Sequence, residues 1–110
     1  MKSNKTHPVY WSNAGRADLV EIVEYIAQDS PQTALKVLEA LEKETKKLSR
    51  FPNNGRIIPE LKKHNVYKYR EFIHAPWRIF YKIEETNVFI LAVIDGRRNV
   101  EDLLLTRQLR

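Results

Sequence analysis

The 110-residue chain has no cysteine, only three glycines and a single methionine. Without cysteine it can form no disulfide, no thiolate metal site and no cysteine nucleophile, a composition suited to a reducing compartment. Few glycines and no low-complexity tract set the composition apart from that of a disordered chain. Long hydrophobic runs are missing too. The longest, residues 88–94, falls far short of the roughly 20 residues needed to cross a bilayer, and the basic residues 1–6 lead into no apolar signal-peptide core. The expected location is the cytoplasm, with no export and no membrane anchor. Walker-type phosphate loops, dinucleotide glycine patterns, Ser-His-Asp elbows and paired carboxylates are likewise absent, so no cofactor is expected. His7, His64 and His74 lie too far apart in sequence to assemble a metal site by local spacing.

What remains is 43% hydrophobic and 30% charged, the balance of a soluble globular protein. The length suits one domain, residues 1–110, burying somewhat over ~60% of the surface its unfolded chain would expose. The net charge of +5 is unevenly spread: residues 46–82 carry +8, opposed only by Glu60 and Glu71, while residues 1–45 sum to −2 and residues 83–110 to −1. Such an excess is expected to form a surface patch for an anionic partner.

Hydrophobic spacing supplies the elements. Val9-Tyr10-Trp11 is a short strand, followed by a capping Ser12-Asn13 and a helix over about 14–28 on Leu19, Ile22, Val23 and Ile26. Ser30-Pro31 starts a second helix, with Leu35, Leu38, Leu41 and Leu48 as its apolar stripe, and the short link makes the two a hairpin. Phe51-Pro52-Asn53-Asn54-Gly55 ends the helical pattern, and the segment to about Asn65 reads as an irregular basic connection. Three strands follow, over 66–73, 77–83 and 88–94, turning at Ala75-Pro76 and Glu84-Glu85-Thr86-Asn87 as an antiparallel meander. The second places Trp77, Ile79, Tyr81 and Ile83 on one face; the third is continuously apolar, as a strand covered on both faces would be. Asn99 caps a last helix carrying Glu101 and Asp102 in its first turn. The order β-α-α-β-β-β-α is an α+β architecture, a helical hairpin on a small antiparallel sheet with a short C-terminal helix.

That order, with Val9-Tyr10-Trp11-Ser12, Ala17-Asp18-Leu19, Phe51-Pro52-Asn53-Asn54-Gly55-Arg56, Tyr69-Arg70-Glu71, Trp77-Arg78-Ile79-Phe80-Tyr81 and Asp95-Gly96-Arg97-Arg98, resembles the ParE branch of the RelE/ParE toxin superfamily over nearly the whole chain. The resemblance implies a toxin neutralised by a cognate antitoxin in a hetero-oligomer. It implies one of two targets: DNA gyrase, blocked by binding as in ParE-like members, or mRNA on the ribosome, cut without a metal as in RelE-like members. A nontoxic interaction module is a third reading.

Metal-free RNA cleavage needs a base, cations for the phosphorane and an acid for the leaving oxygen. By resemblance, Lys68, Arg70, Arg78 and Arg98 match basic positions of the nuclease site. The aromatic acid/base of those nucleases would fall near Leu104, yet residues 99–110 contain neither Tyr nor His, which favours binding over cutting. The candidate target- or nucleic-acid-facing surface is therefore Arg56, Lys62, Lys63, Lys68, Arg70, Arg78, Lys82, Arg97 and Arg98, with no metal ligands and no assigned catalytic residue. Arg78 and Lys82 alternate with the apolar face and also read as the solvated side of a half-buried strand. Lys46-Lys47 reads either as a phosphate contact or as cations favoured at a helix C-terminus. Trp11 and Trp77 could stack on bases, though Trp77 shares its face with core residues; Glu60 is a general base or, by default, a salt-bridge partner.

Overall fold

The computed structural model describes residues 6–107. Its elements are β1 (Val9–Trp11), α1 (Asn13–Ala27), α2 (Pro31–Lys46), β2 (Arg56–Ile57), α3 (Pro59–Lys62), β3 (Tyr69–His74), β4 (Trp77–Glu84), β5 (Asn87–Asp95) and α4 (Val100–Thr106). A 3-10 turn, Lys47–Ser49, extends α2. The expected mixed α+β architecture is observed, with β2 and α3 appearing inside the segment read as irregular. Both are too short for a periodic pattern to announce them.

The helix caps act as their residue types require. Ser12 Oγ accepts from Gly15 N–H, Ser30 Oγ from Thr33 N–H and Asn99 Oδ1 from Asp102 N–H, each meeting one of the donors that a helix start leaves unpaired. Three residues join α1 to α2, which fold back on each other as a hairpin.

The strands form one sheet in the order β1-β5-β4-β3-β2. The meander β3-β4-β5 is antiparallel as expected, but β1 pairs with β5 in parallel, making the sheet mixed. In β4 and β5 the register shifts between Phe80, opposite Ala92, and Tyr81, opposite Ile90, leaving Leu91 as the extra residue of a bulge.

Both faces are covered. Leu19, Leu41 and Leu48 of the hairpin pack on Ile79, Tyr81, Val88, Ile90 and Val93, while Trp77 and Ile83 join this core at its margin. On the far face, Ile58 and Val100 bury Phe80, Ala92 and Ile94, with Leu61, Leu103 and Leu104 from α3 and α4 at the rim. Each fully buried Leu, Ile or Phe contributes about 1.5–3 kcal/mol from its loss of water contact. Leu35, expected in the hairpin core, is instead 54% exposed: Ala34 and Leu41 take the inward positions of α2.

The candidate target-facing surface

Register decides where each cation of the expected surface points. Residues facing each other across antiparallel strands share a face. Arg70 is opposite Tyr81, so it lies on the hairpin face; Arg78 is opposite Ile73 and Ile94, so it lies on the far face. The expected gathering of Arg70, Arg78 and Arg98 therefore does not occur.

Arg78 is not solvated. Its side chain is only 10% exposed, and its Nε donates to Glu71 Oε1 at 2.6 Å. Its two terminal nitrogens donate to the two oxygens of Glu60 on α3, both at 2.8 Å, the parallel fork geometry a guanidinium offers a carboxylate. Glu71 is wholly buried and its other oxygen accepts from Arg56 Nε at 2.8 Å, so the far face carries a chain Arg56–Glu71–Arg78–Glu60. The Arg78 guanidinium also sits 5.4 Å from the Phe80 ring centroid, and the Gly96 backbone lies so close that an added Cβ would stand 3.3 Å from the arginine stem. Hydrogen bonding from Arg78 holds the Glu60 carboxyl below its ordinary range, and the same pair raises Arg78. Glu60 thus takes the salt-bridge role that was its default.

The other cations are tied in smaller groups. Lys82, 8% exposed, and Lys68 share Glu84 Oε2 at 2.9 and 3.3 Å; their hydrogen bonds, Lys82 first, lower the Glu84 carboxyl. Lys82 Nζ also lies 5.7 Å from the Phe89 ring, which stacks on Tyr10. Lys63 reaches Glu101 on α4 at 2.9 Å, with His64 at 3.6 Å, and Lys62 is exposed. On the hairpin face Arg70 donates to the Gly55 carbonyl at 2.7 Å, where Tyr81 Oη accepts from Gly55 N–H and donates to Pro52 O. Burial raises the Tyr81 phenol.

Arg97 forks onto Asp95, bringing that carboxyl down to about 2. Arg98 is exposed and lines, with Arg97, a groove of about 680 Å³ between α1 and the β3–β4 turn, against Tyr25, Trp77 and Pro76. The expected patch is thus several clusters, most of them neutralised by carboxylates. Of the nine expected residues, Arg56 and Arg78 meet through Glu71, Lys68 and Lys82 through Glu84, Arg97 and Arg98 through their turn, and Lys62 and Lys63 adjoin at the end of α3; Arg70 stands apart.

Sequence reasoning missed the roles of Glu71 and Asp18. The first had a signal: it is the one acid between Val66 and Lys82. Asp18 on α1 accepts Val93 N–H at 2.9 Å, where β5 has run past the end of β1, and takes a two-toothed bond from Arg107 at 2.7 and 3.0 Å. Nothing local in the sequence couples residues so far apart.

Tyr69 lies on the far face opposite Lys82, four positions along β3 from Ile73, the partner of Arg78. Among the described residues, no group of three or more His, Cys, Asp or Glu is placed to hold a metal ion, and no helix is long and apolar enough to cross a membrane.

Comparison with known proteins places this geometry. The family model described as "ParE toxin of type II toxin-antitoxin system, parDE" matches residues 9–100. The chain from the chromosomal ParDE toxin–antitoxin system of P. aeruginosa superposes with a TM-score of 0.69 at 21% identity, covering 84% of this chain and 98% of that one. A chain of the RelBE2 toxin–antitoxin complex of Mycobacterium tuberculosis gives 0.60 at 20% identity, covering 86% and 97%. No curated protein sequence gives a significant match. The match over residues 9–100 takes in both helices of the hairpin and every strand of the sheet, and the chain belongs to the ParE toxin family of type II toxin–antitoxin systems.

Proposed function

We propose that the chain is a toxin that inhibits DNA gyrase by binding it, and that a cognate antitoxin neutralises it. The observation that carries binding over RNA cleavage is the state of Arg78. A cation that stabilises a phosphorane must be free to meet it, whereas Arg78 has its Nε on Glu71 and both terminal nitrogens on Glu60. Placement of Arg70 on the opposite face and the lack of a terminal-helix Tyr or His support the same reading. An antitoxin partner is supported by relatives of the same fold that come from a ParDE system and a RelBE2 complex. Sheet edges at β1 and β2 offer unpaired backbone that such a partner could engage.

The test is expression in cells with and without the neighbouring gene, with plasmid topology and mRNA integrity read together. Growth arrest with relaxed plasmids and intact mRNA, relieved by the neighbour, is the expected result. Arrest with cuts at ribosomal A-site codons and normal supercoiling would replace gyrase by the ribosome. Unimpaired growth would leave an interaction module.

A further inference from the structure

We propose that the cleft between the end of α2 and the β1 side of the sheet is a nucleic-acid contact, with Lys46, Lys47 and Arg50 taking the phosphate backbone and Phe51 stacking on a base. The cleft holds about 500 Å³ and is lined by Val9, Lys46, Lys47, Ser49, Arg50 and Phe51, together with Thr6. No carboxylate among the described residues lines it. Three other grooves each include at least one: Glu60 and Glu101, Glu21 and Asp95, or Glu71.

Helical phase creates the cluster. Lys43, Lys46, Lys47 and Arg50 fall at i, i+3, i+4 and i+7, and the 3-10 turn carries the last of them past the end of α2 on the same side. Only Lys47 is engaged, with Glu44 at 3.3 Å; Lys46 and Arg50 have no ion-pair partner among the described residues. These cations therefore differ from those of the far face, which are already held by carboxylates. The wall is fixed, since His7 N–H donates to Ser49 O at 2.7 Å and the His7 ring meets Thr86 O at 3.0 Å.

Cations at a helix C-terminus are favoured by the dipole alone, which accounts for Lys46 and Lys47. It does not account for Phe51, an aromatic left 63% exposed beside them. An exposed ring among long, unpaired cations combines the two contacts a single strand uses, base stacking and phosphate neutralisation. An acidic peptide would use the cations and waste the ring. The inference stands whether or not gyrase is the target.

The experiment is fluorescence anisotropy of a labelled mixed-sequence DNA strand with the full-length protein, between about 50 and about 200 mM salt. Binding should weaken as salt rises. Lys46→Ala/Arg50→Ala should lower affinity on the order of tenfold and flatten the salt slope by about 1–2. Phe51→Ala should cost at least about fivefold on the single strand and less on a duplex, whose bases are already stacked. Lys36→Ala, the same charge change on the exposed side of α2, is the comparator and should bind more tightly than Lys46→Ala. The proposal is overturned if the parent shows no salt-dependent binding, if the cleft variants bind as the parent does, or if Lys36→Ala loses as much as Lys46→Ala. Binding of a labelled poly-glutamate peptide without binding of DNA would also overturn it, assigning the cleft to acidic peptides.

Discussion

Glu71 Oε1 accepts from Arg78 Nε at 2.6 Å, and Glu71 is wholly buried in the sheet face that α3 and α4 cover. Removing one member of such a pair strands the other charge away from water, which costs far more than the pair itself contributes. Arg78→Ala is expected to destabilise the protein by about 3–5 kcal/mol, measured by urea unfolding. At ~4–8 °C per kcal/mol for a domain of this size, the melting temperature should fall by more than about 10 °C. Loss of toxicity in that variant would therefore report unfolding before it reported function. A change in stability below ~1 kcal/mol would show that Glu71 and Glu60 do not depend on the guanidinium.

Glu60 sets a pH dependence of definite sign. Its carboxyl is held below the ordinary range, chiefly by the Arg78 hydrogen bonds, so unfolding takes up a proton at acidic pH. The resulting stability is fully present above the unfolded glutamate value of about 4.3 and is lost as pH falls through the lower folded value. Urea midpoints measured across this acid range should drop less steeply in Glu60→Gln than in the parent. Parallel profiles would contradict the assignment.

Gly15 separates packing from helix propensity. It lies within α1, where alanine is ordinarily better by about 1 kcal/mol, yet an added Cβ would stand 2.7 Å from the Ile90 carbonyl oxygen. Backbone cannot yield as a flexible side chain does, so Gly15→Ala should destabilise by ~1–3 kcal/mol. A stabilised variant would mean that the hairpin stands farther from β5 than the structure places it.

Tyr81→Phe removes one hydroxyl and leaves two groups unpaired, the Gly55 N–H and the Pro52 carbonyl. The expected cost is about 1–3 kcal/mol, read by chemical denaturation, with faster proteolysis within residues 51–57. Unchanged cleavage of that loop would show that Arg70, through the Gly55 carbonyl, suffices to hold it.

Much of this fold was legible because the spacing of apolar residues is unambiguous in α1, α2, β4 and β5. The errors cluster on the far face. Alternation put Arg78 and Lys82 on the solvated side of β4, although Phe80 shares their phase and β5 is apolar at every position from Val88 to Ile94, which already requires cover on both sides. The cover comes from α3 and α4, and α3, at four residues, is below the length at which a helical period can be read. The candidate surface suffered for the same reason: a charge excess predicts cations, but strand register assigns them to faces and buried carboxylates decide which remain free.

Arg98 is the clean probe of target contact, being exposed and without a carboxylate partner among the described residues. Arg98→Ala should leave stability within about 0.5 kcal/mol, so a change in its activity reflects contact with the target.

Gyrase supercoiling assayed against a titration of the purified, folded chain tests the central claim most directly. Supercoiling of relaxed plasmid should fall with toxin dose, level off once the enzyme is saturated, and return when antitoxin is added. Undiminished supercoiling at saturating toxin, from a preparation that still cuts mRNA on translating ribosomes, would contradict it.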